Sequence, residues 1–272
     1  MISGNIQKMR SRLTDTVCYE LPIGEEFLPM NDFVGRTVTL SYSGTINCIH
    51  CGRKTSKSYS QGHCYPCMTK LASCDMCIVK PETCHYDQGT CREPDWAQSH
   101  CMQPHYVYLA NASGVKVGIT RESQIPTRWI DQGAVQALPI AKVDTRYHVG
   151  LMEVIIKTQV SDKTDWRKML KNQVEKLDLA EVRNQVFQNC SDEFEKLAHQ
   201  IGSKNLSLFH DAEEVSIQYP VIQYPDKVKA LNFDKNPEVS GKLLGIKGQY
   251  LIFDTGVLNV RKFTGYELRF TS

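Results

Sequence analysis

Nine of the eleven cysteines fall between Cys48 and Cys101, and six of the nine form three C-x-x-C pairs: Cys48/Cys51, Cys64/Cys67 and Cys74/Cys77. A two-residue gap lets both thiolates of a tight turn reach one ion, at about 2.3 Å in a tetrahedral zinc site. Residues 46–105 also hold few large aliphatic side chains. Such a stretch cannot bury a core of its own, so metal ligation must supply its folding free energy. The sequence therefore predicts a zinc-binding region here, flanked by segments that fold by ordinary burial.

The chain has 272 residues, enough for two or three small units. Lys and Arg number 32 against 30 Asp and Glu, a formal charge of +2 that by itself signals no nucleic-acid binding; a local basic face is still compatible with it. The N-terminal MISGNIQKMRSRLTD has no apolar core segment, and no run reaches the roughly 18 apolar residues of a membrane span. A soluble cytoplasmic protein without a membrane partner is expected, and in that compartment clustered cysteines signify metal rather than disulfides.

Cys48, Cys51, Cys64 and Cys67, separated by the basic loop GRKTSKSYSQGH, have zinc-ribbon-like spacing and are expected to close one structural site. Cys74, Cys77, Cys84, Cys91 and Cys101, with His85 and His105, offer ligands for at least one more zinc whose assignment the spacing leaves open. His63 and His100 are expected outside the ligand shell, and Cys18 and Cys190 as isolated thiols.

Beyond the cysteines the pattern changes. Arg36–Ser43 alternates like a half-buried strand. Tyr106–Ala110 and Val115–Thr120 read as strands joined by the turn-forming Asn111–Gly114, Pro126–Gln132 as a short helix, Gln136–Val143 as a third strand and Arg146–Val160 as a helix. Asp165–Ala198 carries further helical pattern. From Pro237 short strands alternate with glycines, which suggests a small β-barrel or β-roll to which Arg36–Ser43 adds a strand. No fixed-period repeat is visible. The expected class is α+β in four parts: an N-terminal strand segment (1–45), a zinc-binding region (46–105), a three-stranded sheet with helices and a helical extension (106–204), and a β-rich C-terminal domain (205–272).

Within the third part, Tyr106-Val107-Tyr108, Lys116-Val117-Gly118, Arg128 and Glu153 follow one another in order. This series resembles the GIY-YIG nuclease superfamily, in particular its compact, lysine-containing branch. The whole chain also looks like a bacterial family that fuses such cysteines to this module and a β-rich tail. Tyr108 stands in the tyrosine place of the first motif, and Lys116 replaces the tyrosine of the second. The resemblance implies a metal-dependent endonuclease that hydrolyses phosphodiester bonds of DNA, or secondarily of RNA or structured nucleic acid. In it Arg128 clamps phosphate, Glu153 holds Mg²⁺ or Mn²⁺, and Tyr108 with Lys116 handles proton transfer. The residues suit that chemistry: a guanidinium gives two parallel donors to a phosphate, and a hard cation takes oxygen ligands. Glu153 also lies within the apolar stripe of its own helix, where an unpartnered carboxylate is costly. An alternative is a non-catalytic, zinc-dependent adaptor for nucleic acid or protein built on a degenerate nuclease scaffold.

Overall fold

The computed structural model describes residues 2–161 and 163–272. The chain opens with β1 (Ile2–Asn5), β2 (Arg10–Arg12), β3 (Cys18–Ile23) and β4 (Glu26–Pro29). A 3₁₀ turn, Met30–Phe33, leads into β5 (Thr37–Ile46), whose Val38 and Leu40 are buried on one face as the alternation predicts. The cysteine-rich stretch contains only α1 (Tyr65–Lys70), α2 (Pro94–His100) and short 3₁₀ turns. A proline sits in the first turn of both helices, where its missing N–H costs nothing.

β6 (His105–Asn111), β7 (Val115–Arg121) and β8 (Gln136–Val143) form the next sheet, with α3 (Thr127–Asp131) between β7 and β8. After β8, Thr145 caps α4 (Arg146–Ile156) by accepting from the His148 amide at 3.2 Å. The helical stretch that follows divides into α5 (Trp166–Leu170), α6 (Leu179–Asn189) and α7 (Ser191–Ile201). Then β9 (Leu206–Leu208) and β10 (Val215–Ser216) both return to pair with β8, so the central sheet has five strands rather than the three expected. Side-chain alternation splits this sheet between two cores. Val107 and Leu109 of β6 face the helices α4, α6 and α7, whereas Tyr108 and Ala110 face the β-rich remainder.

The C-terminal strands β11 (Glu238–Lys247), β12 (Tyr250–Phe253), β13 (Gly256–Asn259) and β14 (Tyr266–Thr271) do not close a barrel. They join β1 and β5 in an open six-stranded sheet of order β1-β14-β5-β11-β12-β13. The reason for this topology is a duplication. β4 and its 3₁₀ turn (Met30–Phe33) recur 230 residues later as β13 and the turn Val260–Phe263. Leu21, Leu28, Phe33 and Gly35 recur as Leu251, Leu258, Phe263 and Gly265. Gly35 and Gly265 hold φ of 91° and 89°, the left-handed region that only glycine enters cheaply. The two halves exchange strands: β11 pairs with β5 of the first, and β1 pairs with β14 of the second. Leu40 lies opposite Phe270, its own counterpart, so a pseudo-twofold axis runs through that pair.

This exchanged β unit docks on α3. Asp131 receives Lys8 Nζ at 3.0 Å and Gln249 Nε2 at 2.8 Å, and Gln249 also bonds both backbone groups of Met9. The short helix that carries Arg128 is thereby fixed from below.

Candidate functional site: a basic cavity between two cysteine clusters

Cys48 and Cys51 lie on a tight knuckle, in which Gly52 N donates to Cys48 O and Asn47 bridges to Lys54. Cys64 and Cys67 stand at the start of α1, so the second pair is helix-borne rather than on a second ribbon turn. All four sulfurs lie within 4.8 Å of one another, with Cys51 and Cys64 Sγ atoms 3.7 Å apart. Disulfides need about 2.05 Å. Tetrahedral zinc thiolates place their sulfurs about 3.8 Å apart, which follows from a 2.3 Å bond. The group is thus spaced to hold a metal ion, and its donor set suits zinc. Burial works to raise the Cys48 thiol, but backbone hydrogen bonds at Cys51, Cys64 and His50 outweigh it and bring it down to about 6. Desolvation and the neighbouring sulfurs push Cys67 up to about 12. Held as four thiolates, the group would need a cation among them to offset their mutual repulsion.

The remaining expected ligands are more dispersed. Cys77, Cys84, Cys91 and Cys101 border one small cavity, and Asp75, Cys77 and His85 form a second compact group. Cys74 is off that cavity wall, with its sulfur 3.9 Å from Ser73 Oγ. His105 is fully buried at the start of β6, where Nδ1 meets Gln103 O at 2.7 Å, and burial lowers its pKa to about 4.

A cavity of about 590 Å³ opens beside these clusters. Register explains its floor. The Asn111–Val115 turn sets Tyr108 opposite Gly118 and Ala110 opposite Lys116, so Lys116 and Gly118 share the face to which Tyr108 points. Helix α4 buries Val149, Met152, Glu153 and Ile156 on one stripe, and this brings Glu153 to the same cavity. Arg128 reaches it from α3. Lys116, Arg128 and Glu153 therefore line one concavity, with Lys116 Nζ donating to Thr164 Oγ1 and Glu153 meeting Lys157 Nζ at 3.4 Å.

Tyr108 lies directly beneath, not on the wall. Its side chain is fully buried, and a Cβ at Gly118 would come within 2.6 Å of its hydroxyl. That hydroxyl donates to Gln132 Oε1 at 3.1 Å. Burial raises the phenol's pKa, with Arg128 and Gln132 pulling it down and Glu153 adding to the rise. All four expected residues thus meet, three lining the cavity and one supporting its floor.

Sequence reasoning missed the rest of the wall. Lys8, Arg121, Arg146, Lys157 and Arg261 bring the basic residues to seven against two carboxylates, Asp131 and Glu153. Ser60 and Gln61, from the loop between the first two cysteine pairs, also line it, and Gln61 accepts from Arg261 Nε. Lys157 was findable, since it follows Glu153 at the i,i+4 spacing of a helical ion pair. Lys8 and Arg261 carry no local signal, because chain closure alone brings them in.

The profile of a protein family of unknown function, DUF2797, matches residues 35–268. The chain belongs to this family. No curated protein and no solved structure matches it. The matched span takes in both cysteine clusters, every central strand and the second copy of the duplicated β element, and so contains the cavity apart from Lys8. Among the described residues no helix is long and apolar enough to cross a membrane.

Proposed function

We propose that this chain is a zinc-stabilised, GIY-YIG-like endonuclease that hydrolyses phosphodiester bonds, with DNA as the first substrate to test. The observation that carries this reading is the convergence of Lys116, Arg128 and Glu153 on one strongly basic cavity. A polyanion is what such a wall attracts, and several cations around one phosphate neutralise the charge that builds on its oxygens.

Arg128 grips two phosphoryl oxygens in parallel. Lys116 adds a compact charge on the same face, placed to give a proton to the departing oxygen. An attacking water forms the new P–O bond and releases its proton to solvent as the old bond breaks and the departing oxygen takes a proton from Lys116, leaving a phosphomonoester and a hydroxyl end. The sealed position of Tyr108 suits positioning better than proton abstraction: its phenol holds Gln132 and interacts with Arg128 from behind the cavity. Both carboxylates on the wall have partners, Asp131 in Lys8 and Gln249 and Glu153 in Lys157. Glu153 fits a Mg²⁺ or Mn²⁺ that keeps several waters, since it offers one oxygen-donor group beside a roomy cavity. When bound, such an ion would activate water and polarise the phosphoryl group.

The test is a cleavage survey over single-stranded, duplex and branched DNA and RNA, with Mg²⁺ or Mn²⁺ added or omitted. Metal-dependent nicking is expected, abolished in Glu153→Gln while zinc content stays unchanged. Cleavage surviving that substitution removes the role given to Glu153. Burial of Tyr108 favours one second reading, a binding adaptor on a nuclease-like scaffold; salt-sensitive nucleic-acid binding with no cleavage under any metal would establish it.

A further inference from the structure

Between Leu71 and Cys101 the chain has four 3₁₀ turns and one seven-residue helix, and it buries few large aliphatic side chains. Neither secondary structure nor a hydrophobic core accounts for its order. At its centre is a cavity of about 20 Å³, the room of a single water or ion. Ile78, Trp96 and Ala97 give it apolar walls, an unfavourable place for a lone water. Around it stand four cysteines, Cys77, Cys84, Cys91 and Cys101, each from a different turn or helix end.

We propose that Cys77, Cys84, Cys91 and Cys101 hold a second structural zinc ion as four thiolates. The four cysteines ring the cavity more loosely than those of the first site, so binding would have to draw their sulfurs inward onto the ion. The competing set is Asp75, Cys77 and His85, whose ligand atoms lie within 4.8 Å of one another. Asp75 and His85 border the same cavity, and both already have partners. Asp75 Oδ2 receives Arg92 Nε at 2.6 Å, and its other oxygen caps the turn by accepting from Cys77 N at 3.4 Å. His85 Nδ1 lies 2.7 Å from Thr90 Oγ1, and its Nε2 lies 3.6 Å from Asp75. In the proposed site these bonds hold Asp75 and His85 on the same cavity wall, where they orient the cysteine-bearing turns as groups around metal ligands commonly do.

Charge points the same way. Zinc with four thiolates carries a net charge of about −2, and two guanidiniums flank the site. Arg92 borders the cavity and holds Asp75. Arg146 donates from its side chain to Ile78 O and from its backbone to Cys101 O, and it acts electrostatically on both Cys77 and Cys101. Arg146 also lines the large basic cavity, so this zinc would sit directly behind one of that cavity's cations. The inference does not depend on nuclease activity.

Metal content of the full chain, purified without added chelator, provides the test. Wild type should hold two zinc ions per chain, with Cys84→Ser and Cys91→Ser each falling to one. Cys74→Ser and Asp75→Asn should both retain two. A wild type with one zinc overturns the proposal, as does retention of both ions in the Cys84 and Cys91 variants or loss of one in Asp75→Asn. Should the cysteine variants fail to fold, X-ray absorption at the zinc edge of the wild type still decides. A first shell of sulfur alone at about 2.3 Å is expected, and an oxygen or nitrogen component at about 2.0–2.2 Å would refute it.

Discussion

Lys247 is the residue whose position is hardest to read from sequence and easiest to test in solution. At the end of β11 it is fully buried, donates to Asn172 Oδ1 at 2.8 Å, and lies 5.4 Å from the ring centres of both Tyr219 and Tyr224. In sequence it is one basic residue among the short strands and glycines that follow Pro237. Strand alternation from Val239 and Leu243 carries Lys247 to the buried face, and only its charge argues against burial there. Burial lowers the lysine's pKa to about 8, against an ordinary value of about 10.4. Below pH 8 both folded and unfolded chains carry the proton, and the fold bears the full cost of a buried ammonium. Between about 8 and 10.4 the unfolded chain binds more protons, so this residue's contribution makes stability rise with pH. Measured against Lys247→Met by urea unfolding, wild type should gain up to about 3 kcal/mol across that window. Parallel pH curves for the two proteins would show that the lysine keeps its charge. Tyr108 and Gly118 are the opposite case. The turn at Asn111–Gly114 was legible, and their pairing follows from it; that the glycine leaves room for the tyrosine ring was not.

At the scale of elements, the central helices matched their periodicity because each buries one stripe, whereas β6 and β8 are buried on both faces and were legible as short apolar runs between turn residues. β8 spans Gln136–Val143 as read, and α4 begins at Arg146 but stops at Ile156 rather than Val160. The duplicated β element escaped notice for two reasons. Its copies are separated by the whole cysteine-rich region and central sheet, and core positions accept any apolar side chain of suitable size, so few identities persist. The identities that do persist mark different burdens. Phe263 is fully buried against Phe233 and Tyr266, at ring distances of 4.9 and 5.1 Å. Phe33, its counterpart, is half-buried and meets Phe270 edge-on at 4.9 Å. Phe263→Ala should therefore cost about 3–5 kcal/mol of folding stability, and Phe33→Ala distinctly less because part of its surface is already in water. Chemical denaturation of both variants checks the order. Equal losses would mean that the two halves are energetically equivalent despite their different surroundings.

For the whole molecule, the question is why one basic cavity draws on so many distant segments. Its wall takes Lys8 from the N-terminal half of the duplicated unit, Gln61 from the loop between the first two cysteine pairs, Ser73, Ile78, Val79 and Pro81 from the second cysteine region, and Arg261 from the C-terminal half. A net charge of +2 hides this convergence, because acidic residues elsewhere cancel seven cations gathered on one surface. If the cavity tracks a nucleic-acid backbone, each cation that neutralises a phosphate releases bound counterions. The slope of log affinity against log salt then steepens by about 0.9 per phosphate on a duplex. Arg128→Ala and Arg261→Ala should each reduce the slope by about that amount and weaken binding at low salt. Lys262→Ala is the matched control: this neighbour of Arg261 is exposed and borders a separate hollow with Trp166 and Tyr250, so the slope should not change. Fluorescence-anisotropy titrations of a labelled duplex between 50 and 200 mM salt would separate the cases. A slope unchanged in Arg261→Ala, or lowered equally in Lys262→Ala, would mean that phosphate contact is spread over the surface, and the duplicated β unit would then have no special part in the site.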